Sequence, residues 1–355
     1  MIRKLNAVAV AALALVAAAG AQAQSSVSVY GTIDEAIVSL HNSADAQKGA
    51  PAAQRLRGLE DGGMTASYLG FAGTEDLGGG LKAKFKLESY LKADTGTTTT
   101  GQFWSRNSWL GLAGNFGTVL AGQAETPLYN ATTAFNPFGA SANFSPAVRQ
   151  YFGSYGDVKA VGTSGTSNQA WANSLTYYTP GDLGGFNGAL QYSFKETATG
   201  SGSVGLSGGY AAGPLAVAAV YQQVKTGYAT GHQNTWQLDG SYDLGVAKLF
   251  AQYGQVKNTP ATDEYKDKIW QLGASVPVGA GAVLASYGEK QYKETGAGNT
   301  YKDKSKTLSL GYDYALSKRT DVYAAYAYDR FSDNDPTTAK FESTNSVGVG
   351  IRHRF

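Results

Sequence analysis

The feature that most constrains this chain is a strict alternation of apolar and polar residues that recurs from Ser26 to the C-terminus. In residues 81–88 every odd position is apolar and every even position is Lys or Glu. Successive side chains of a β-strand point to opposite faces, so this alternation predicts strands with one apolar and one polar face. After residue 23 no stretch approaches the roughly 20 apolar residues that a membrane-spanning helix needs.

The connectors between the predicted strands alternate in length. Seven are short, at residues 77–80, 114–117, 181–185, 213–214, 244–246, 278–281 and 316–319. Eight are long and rich in Gly, Thr, Asn, Asp and Lys, near residues 41–66, 93–102, 126–170, 197–202, 226–234, 258–266, 294–303 and 332–343. They separate sixteen strands, and tight turns at one end with long loops at the other are typical of outer-membrane barrels. We therefore predict an all-β fold, a 16-stranded antiparallel transmembrane β-barrel.

A soluble sandwich or barrel is the alternative placement of the same strands, with their apolar faces buried in a core. A core of that size needs more Leu, Ile and Val than this chain offers. The aromatic residues also concentrate at strand ends, where a bilayer favours an amphipathic girdle. These are Trp104, Trp109, Tyr177, Tyr178, Trp236, Trp270 and Tyr328.

The N-terminus has the pattern of an export signal. Arg3 and Lys4 precede an apolar run over residues 5–19, and Ala21 and Ala23 form an A-x-A site. This pattern predicts a signal peptide at residues 1–23 that is cleaved after Ala23, leaving residues 24–355 as one barrel domain. The alternative, an uncleaved membrane anchor, is disfavoured because the run is short and Ala-rich.

Charge and cysteine content exclude several other classes. The 355 residues contain 29 Lys+Arg, 27 Asp+Glu and no cysteine. A net charge of +2 gives no basic footprint for nucleic acid, and the lack of cysteine excludes disulfides, Cys zinc sites and thiol nucleophiles.

No catalytic constellation is evident, because His41, His232 and His353 lack a plausible Ser with a polar orienting partner. Acidic clusters at residues 263–267 and 333–335 fit solvated loops, or divalent-cation bridges to lipopolysaccharide. We therefore expect no enzyme activity, metal or cofactor.

The last predicted strand ends the chain with an aromatic residue. Val349, Ile351, His353 and Phe355 share its apolar face. A C-terminal Phe at this phase resembles the signal that outer-membrane barrels present to their assembly machinery.

Six segments together carry a family resemblance: SVSVYGTID (26–34), LGFAGTEDLGGGLKAKFKL (69–87), LGLAGNFGTVLAGQAET (110–126), NSLTYYTPGDLGGF (173–186), LGYDYALSKRT (310–320) and VGVGIRHRF (347–355). On these segments, residues 24–355 resemble the general trimeric porins of the Gram-negative outer membrane, in the branch typical of beta-proteobacteria. The resemblance implies a homotrimer in outer-membrane lipid and lipopolysaccharide. Each barrel would pass ions and small hydrophilic solutes through a pore narrowed by its inward-folded third loop.

The longest connector, near residues 126–170, lies where porins place that loop. Its aromatic residues argue for packing against a wall, although an external loop with incidental aromatics is the alternative. Pro137, Phe138 and Gly139 resemble the loop-tip turn of the family.

The polar face of the third strand carries Lys82, Lys84, Lys86 and Glu88, and Arg149 lies in the long connector. By resemblance, Arg106 and Glu88 match a pore-facing Arg and the pore acid. Tyr68 and Ala170 stand where the family usually has Arg, and Lys84, Lys86 or Arg149 would replace that charge.

Rings of Lys or Arg favour anions, so we predict a wide, weakly anion-preferring diffusion pore. The lysines could instead only keep the lumen wet, and Lys82, nearest the short turn, fits that interpretation best. A substrate-specific channel, or a barrel enzyme or adhesin, are the alternative functions.

Overall fold

A computed structural model of the chain describes residues 26–44, 54–98, 101–152, 169–195, 202–225, 231–259, 264–296, 299–333 and 341–355. The predicted signal peptide, residues 1–23, lies outside the described residues. No helix in the described ranges is long and apolar enough to cross a membrane.

The described residues form antiparallel strands that pair in sequence order. Their bounds are β1 Ser26–Ala44, β2 Gln54–Asp61, β3 Tyr68–Gly78, β4 Leu81–Lys92, β5 Thr97–Thr98, β6 Asn107–Gly114, β7 Gly117–Glu125, β8 Ala170–Tyr178, β9 Phe186–Ser193, β10 Ser203–Ala212, β11 Leu215–Val224, β12 His232–Asp243, β13 Lys248–Thr259, β14 Glu264–Val278, β15 Gly281–Gly296, β16 Asn299–Ala315, β17 Thr320–Asp333 and β18 Phe341–Arg354.

These segments make a closed barrel of sixteen strands. β2 and β3 both pair with β1 and so form one barrel strand in two parts, while β5 pairs only with the end of β4. β1 pairs with β18 from Thr32 opposite Arg354 to Ser43 opposite Ser343, which closes the sheet. The predicted fold and strand number are confirmed, and closure leaves no sheet edge unpaired in the membrane.

The first long connector is shorter than the sequence pattern predicted. Residues 54–61 were expected in a loop, but they form β2 because they continue the backbone pairing along β1, from Glu35 opposite Asp61 to Asn42 opposite Gln54. Between β2 and β3, residues 62–67 leave the sheet. Asp34 holds this excursion by accepting hydrogen bonds from the backbone N–H groups of Met64 and Thr65, at 2.9 and 2.7 Å.

The barrel has its apolar side outside. Large hydrophobic side chains on the outer face, such as Ile37, Leu110 and Leu272, are exposed. Inward positions of the same sheet carry polar residues, among them Gln237 and Gln271, which are buried inside the barrel. This is the arrangement that a bilayer requires and the reverse of a soluble core.

Candidate pore and constriction

In the connector between β7 and β8, residues 126–169, the described residues 126–152 fold into the barrel; we call this connector the inner loop. Its described part contains two short helices, α1 Pro127–Ala134 and α2 Pro146–Phe152. Thr126 caps α1 by accepting a hydrogen bond from the N–H of Tyr129 at 3.2 Å, and proline occupies the first helical position. The predicted inward-folded third loop is confirmed.

The tip of the inner loop is the turn Pro137, Phe138 and Gly139. The side chain of Asn136 shapes it by donating to the carbonyl of Gly139 at 2.9 Å and accepting from the N–H of Phe138 at 2.9 Å. Gly139 has φ +54°, which an L side chain adopts only with strain. The turn directs Phe138 into a buried cluster with Phe144 on the inner wall.

Glutamines on the inner wall hold the two helices. Gln237 accepts from the hydroxyl of Thr132 at 3.0 Å, and Gln252 donates to the carbonyl of Thr132 at 3.0 Å. Gln271 accepts from the N–H of Ala147 at 2.7 Å. Sequence analysis missed these residues, although their signal is present as a Gln at the inward phase of each of three consecutive strands, β12 to β14.

Glycines on the wall make room for the inner loop. At six positions a Cβ would come within 2.3–3.2 Å of a loop side chain. These glycines, with the loop residue that each faces, are Gly205 (Pro127), Gly254 (Tyr151), Gly273 (Pro137), Gly288 (Pro146), Gly311 (Phe138) and Gly348 (Phe144). We call them the glycine track; it extends from β10 to β18, so the loop follows this part of the wall.

The opposite part of the lumen carries the predicted lysines. Lys82, Lys84 and Lys86 share the inward face of β4 with Glu88, Lys82 exposed and the other two half-buried. The ammonium of Lys86 lies 5.9 Å from the centre of the Trp109 ring and 3.7 Å from a Glu88 oxygen. Residues 126–152 of the inner loop contain no Asp or Glu, so the described loop offers these lysines no carboxylate.

Glu88, expected as an acid exposed to the pore, is instead only 1 % exposed. It accepts hydrogen bonds from Tyr30 at 2.6 Å and Asn107 at 2.5 Å and forms an ion pair with Arg106. A carboxylate buried this deeply needs such partners, and these three residues supply them.

Arg106 lies directly before β6, outside the strands. It bridges Glu88 and Glu125, at 2.8 Å from the latter, and stacks 4.5 Å above the ring centre of Tyr68. Burial by itself lowers the pKa of Arg106, but the carboxylates of Glu125 and Glu88 together raise it by more, so the net pKa lies above its ordinary value. Tyr68, which replaces a family Arg, thus supports the remaining one; Ala170, the other replacement, pairs with Glu125 in the sheet.

Arg149 was expected to add charge to the constriction from the inner loop, but its charge is paired. The guanidinium contacts the carboxylate of Asp329 on β17 at 2.5 Å and donates to the carbonyl of Asn143 at 3.0 Å. Its side chain is 6 % exposed. The residue therefore ties α2 to the wall, and Lys82, Lys84 and Lys86 remain the more accessible lumen cations of the predicted set.

The C-terminal residues close the barrel at its short-turn end. Val349, Ile351, His353 and Phe355 lie on the outer face, as predicted. Phe355 exchanges two backbone hydrogen bonds with Gly31, at 3.1 and 3.2 Å, while a ring nitrogen of His353 lies 2.8 Å from the Thr320 hydroxyl.

The other two histidines are His232, which begins β12, and His41, near the end of β1. The three histidines therefore lie on separate parts of the wall. Within the described residues no group of three His, Cys, Asp or Glu is placed to hold a metal ion.

Comparison with known proteins gives a consistent result. A family model described as Gram-negative porin matches residues 9–334. Outer membrane porin protein 32 of Delftia acidovorans is 35 % identical over 93 % of this chain and 94 % of its own length. An outer membrane porin protein of Bordetella pertussis strain Tohama I is 30 % identical over 93 % of this chain and 94 % of its own length.

Solved structures match as well. An anion-selective porin from Comamonas acidovorans superposes with a TM-score of 0.77 at 30 % identity, covering 93 % of this chain and all of its own. The trimer form of OmpT from Vibrio cholerae superposes with a TM-score of 0.67 at 17 % identity, covering 93 % of this chain and 99 % of its own, which shows the shared fold.

Proposed function

This chain belongs to the Gram-negative porin family, and from that membership and the lumen charges we propose that it is a wide, weakly anion-preferring diffusion pore. It is an outer-membrane channel for ions and small hydrophilic solutes. The sign of its selectivity is the part that we infer.

One observation carries the proposed selectivity. Lys84 and Lys86 face a lumen in which the nearest acid, Glu88, is shared between Lys86 and Arg106, and the described inner loop has no carboxylate to offset the excess positive charge. An excess of cations over acids at a narrow point favours anions. The solved relative from Comamonas acidovorans is named an anion-selective porin, which supports the same preference here.

Reversal potentials in a KCl gradient across a planar bilayer test this proposal. A charge about 6 Å from the ion path in a water-like dielectric contributes roughly 0.7 kcal/mol, which screening at about 0.1 M salt reduces to roughly 0.4 kcal/mol. The sign is opposite for an anion and a cation, so the anion-to-cation permeability ratio changes about threefold. Lys84→Gln and Lys86→Gln should each lower the ratio, and the double variant should bring it close to one or below.

Lys82→Gln is the matched control, since Lys82 is on the same face but next to the short turn. It should change the ratio less than either of the other two substitutions. A ratio that the double variant leaves unchanged would contradict the proposed role of the lysines, as would a parent channel that prefers cations.

We propose that three barrels associate as a homotrimer through the outer face of β1 and β18. Val29, Ile37 and Val349 form an exposed apolar surface there, and Ile37 pairs directly with Val349. The trimer form of the OmpT structure supports this assembly by its shared fold.

Residues 1–23 are proposed to be removed on export, so sequencing of the purified protein should begin at Gln24. Phe355 is proposed as part of the signal read by the barrel-assembly machinery. Lipopolysaccharide is the proposed neighbour of the outer surface.

A further inference from the structure

Six lysines gather on three neighbouring strands. Lys266 on β14 stands opposite Lys293 on β15, which stands opposite Lys302 on β16. Lys268, Lys304 and Lys306 lie on the same face of these strands, toward the short turns. We call these six residues the lysine patch; Arg330 on β17 extends it, opposite Lys306.

The lysine patch lies on the outside of the barrel. The alternate residues of the same strands, such as Ile269, Gln271 and Ser286, are buried on the inner side, where Gln271 holds the inner loop. Because successive side chains of a strand point to opposite faces, the lysines face away from the lumen. They therefore have no direct part in ion passage.

The position of the lysine patch along the strands is the second observation. Trp270 lies in the same row as Lys306, and the next row toward the short turns holds Tyr287 with the exposed Leu272 and Leu308. The ring centres of Trp270 and Tyr287 are 5.5 Å apart. Aromatic residues mark the boundary between hydrocarbon and headgroups. The lysine patch lies just beyond that boundary at the long-loop end, which faces the cell exterior in outer-membrane barrels.

Bases outnumber acids in the lysine patch. In the paired rows that contain it, Glu289 is the one carboxylate on the outer face among the described residues, and it lies 3.1 Å from Lys304. Five of the six lysines, all but Lys306, line a depression of about 740 Å³, to which Asp303 also contributes. Like charges placed directly opposite each other across a sheet are destabilising, so an anionic ligand would relieve the repulsion of Lys266 and Lys293.

We propose that the lysine patch binds the phosphate groups of lipid A in the outer leaflet. Its acyl chains would cover the apolar rows that begin at Trp270 and Leu308. Ammonium groups form strong charge-assisted hydrogen bonds with phosphate oxygens, and their long stems reach along apolar surface to the headgroup level. This assignment depends on the outer-membrane location of the channel and deepens it by naming a lipid partner and the face that it occupies.

The test measures lipid A binding to the full chain in detergent. Diphosphoryl lipid A is titrated in the presence of EDTA, which removes bridging divalent cations, and bound lipid is counted by native mass spectrometry. The patch variant is Lys268→Gln, Lys293→Gln and Lys302→Gln together. The control variant is Lys248→Gln, Lys318→Gln and Arg319→Gln together, which removes three exposed bases at the short-turn end.

The patch variant should bind diphosphoryl lipid A about tenfold more weakly or worse than the parent, because each basic side chain near a headgroup contributes to anion affinity. The control variant should bind like the parent. Dephosphorylated lipid A should bind the parent weakly and should not distinguish the variants. Conductance in planar bilayers should be the same for all three proteins.

Equal lipid A binding by parent and patch variant would overturn the proposal, as would an equal loss in the control variant. Displacement of lipid A by equimolar phosphatidylglycerol or by inorganic phosphate would overturn the choice of lipid A. A change of oligomeric state in the patch variant would assign the surface to a second copy. If the parent conducts no ions, the channel function fails while the lipid A result still stands on its own.

Discussion

Glu88 decides how much positive charge the pore lining presents. It is buried, pairs with Arg106, and is held by Tyr30 and Asn107. Arg106 in turn contacts Glu125, so one guanidinium is matched by two carboxylates. Since Lys86 also lies 3.7 Å from a Glu88 oxygen, Arg106 and Lys86 balance the two carboxylates, and the excess positive charge next to them belongs to Lys84. A change of charge at Glu88 shifts this balance.

Glu88→Gln should make the channel more anion-selective. The amide keeps the size of the side chain and can still bond Tyr30 and Asn107, but the wall gains one net positive charge. At a few ångströms from the ion path that charge corresponds to roughly a twofold to threefold rise in the anion-to-cation permeability ratio. The reversal potential in a KCl gradient measures it.

Glu75→Gln is the control for this substitution, because Glu75 is an exposed acid of β3 on the face opposite to the lumen. It should leave the reversal potential unchanged. A shift of the Glu88→Gln channel toward cations would show that the network acts on the pore by some means other than its charge.

The inner loop is seated by the wall rather than by its own helices. α1 and α2 have eight and seven residues, too few for stable isolated helices. The loop stays in place because wall glutamines bond its backbone and because the glycine track lets its prolines and aromatics approach the sheet. The width of the pore thus depends on residues that never touch the solute.

Gly273→Leu should displace the loop tip from the wall and narrow the pore. A Cβ at Gly273 would lie 2.7 Å from the Pro137 ring, and a leucine has three further carbons to place. Overpacking of this kind costs about 1–3 kcal/mol, which the loop relieves by moving into the lumen water. We expect lower single-channel conductance, or frequent switching between two levels.

Gly240→Leu is the matched control on β12. A Cβ there meets nothing within 4 Å and points to the outer face. Its conductance should equal that of the parent. If Gly273→Leu instead left the conductance at the parent value and steady, the loop would not be seated by this close contact, and the seating mechanism would be wrong.

The closed barrel presents one apolar outer face that a second copy can cover. Ile37 and Val349 are 69 % and 57 % exposed and are paired across the seam where β1 meets β18. The double variant Ile37→Arg and Val349→Arg should separate the proposed trimer, because arginines on such a face cost about 2–4 kcal/mol each at mid-membrane depth. Size-exclusion chromatography with light scattering in detergent measures the mass.

The control for this pair is Leu238→Arg with Leu272→Arg, two exposed leucines on β12 and β14, away from the seam. That protein should keep the mass of the parent. Loss of the oligomer in both variants would mean that the arginines act through general destabilisation, and a trimeric seam variant would exclude this face as the interface.

Phe355→Ala should lower the amount of protein in the outer membrane while leaving refolding in detergent intact. The backbone bonds of Phe355 to Gly31 do not need the ring, which lies half-exposed on the outer face. Immunoblots of outer-membrane fractions and heat-modifiability on gels measure the two quantities. Phe186→Ala, another exposed phenylalanine at the short-turn end, is the control and should assemble normally.

Alternation along the chain was sufficient to determine the strand number, the closed barrel and the face of each residue, including the inward phase of Lys84 and the outward phase of Phe355. These features follow from a two-residue period, so the residues immediately before and after a position are enough to predict them. The length of the first connector was overestimated because the outward face of β2 mixes polar and apolar residues, so its sequence does not alternate clearly. Its pairing with β1 is evident only in the folded sheet.

Tertiary structure decided which charges are available. The sequence predicted Arg149 as a loop cation of the constriction, but the fold pairs it with Asp329, 180 residues away. The sequence predicted Glu88 as a pore acid, but the fold buries it against Tyr30 and Arg106. The lysine patch likewise exists only because three neighbouring strands bring their ends into register. A residue's periodicity sets the face on which it lies, but the net field at a pore or a lipid surface is a sum over distant residues that only the folded barrel brings together.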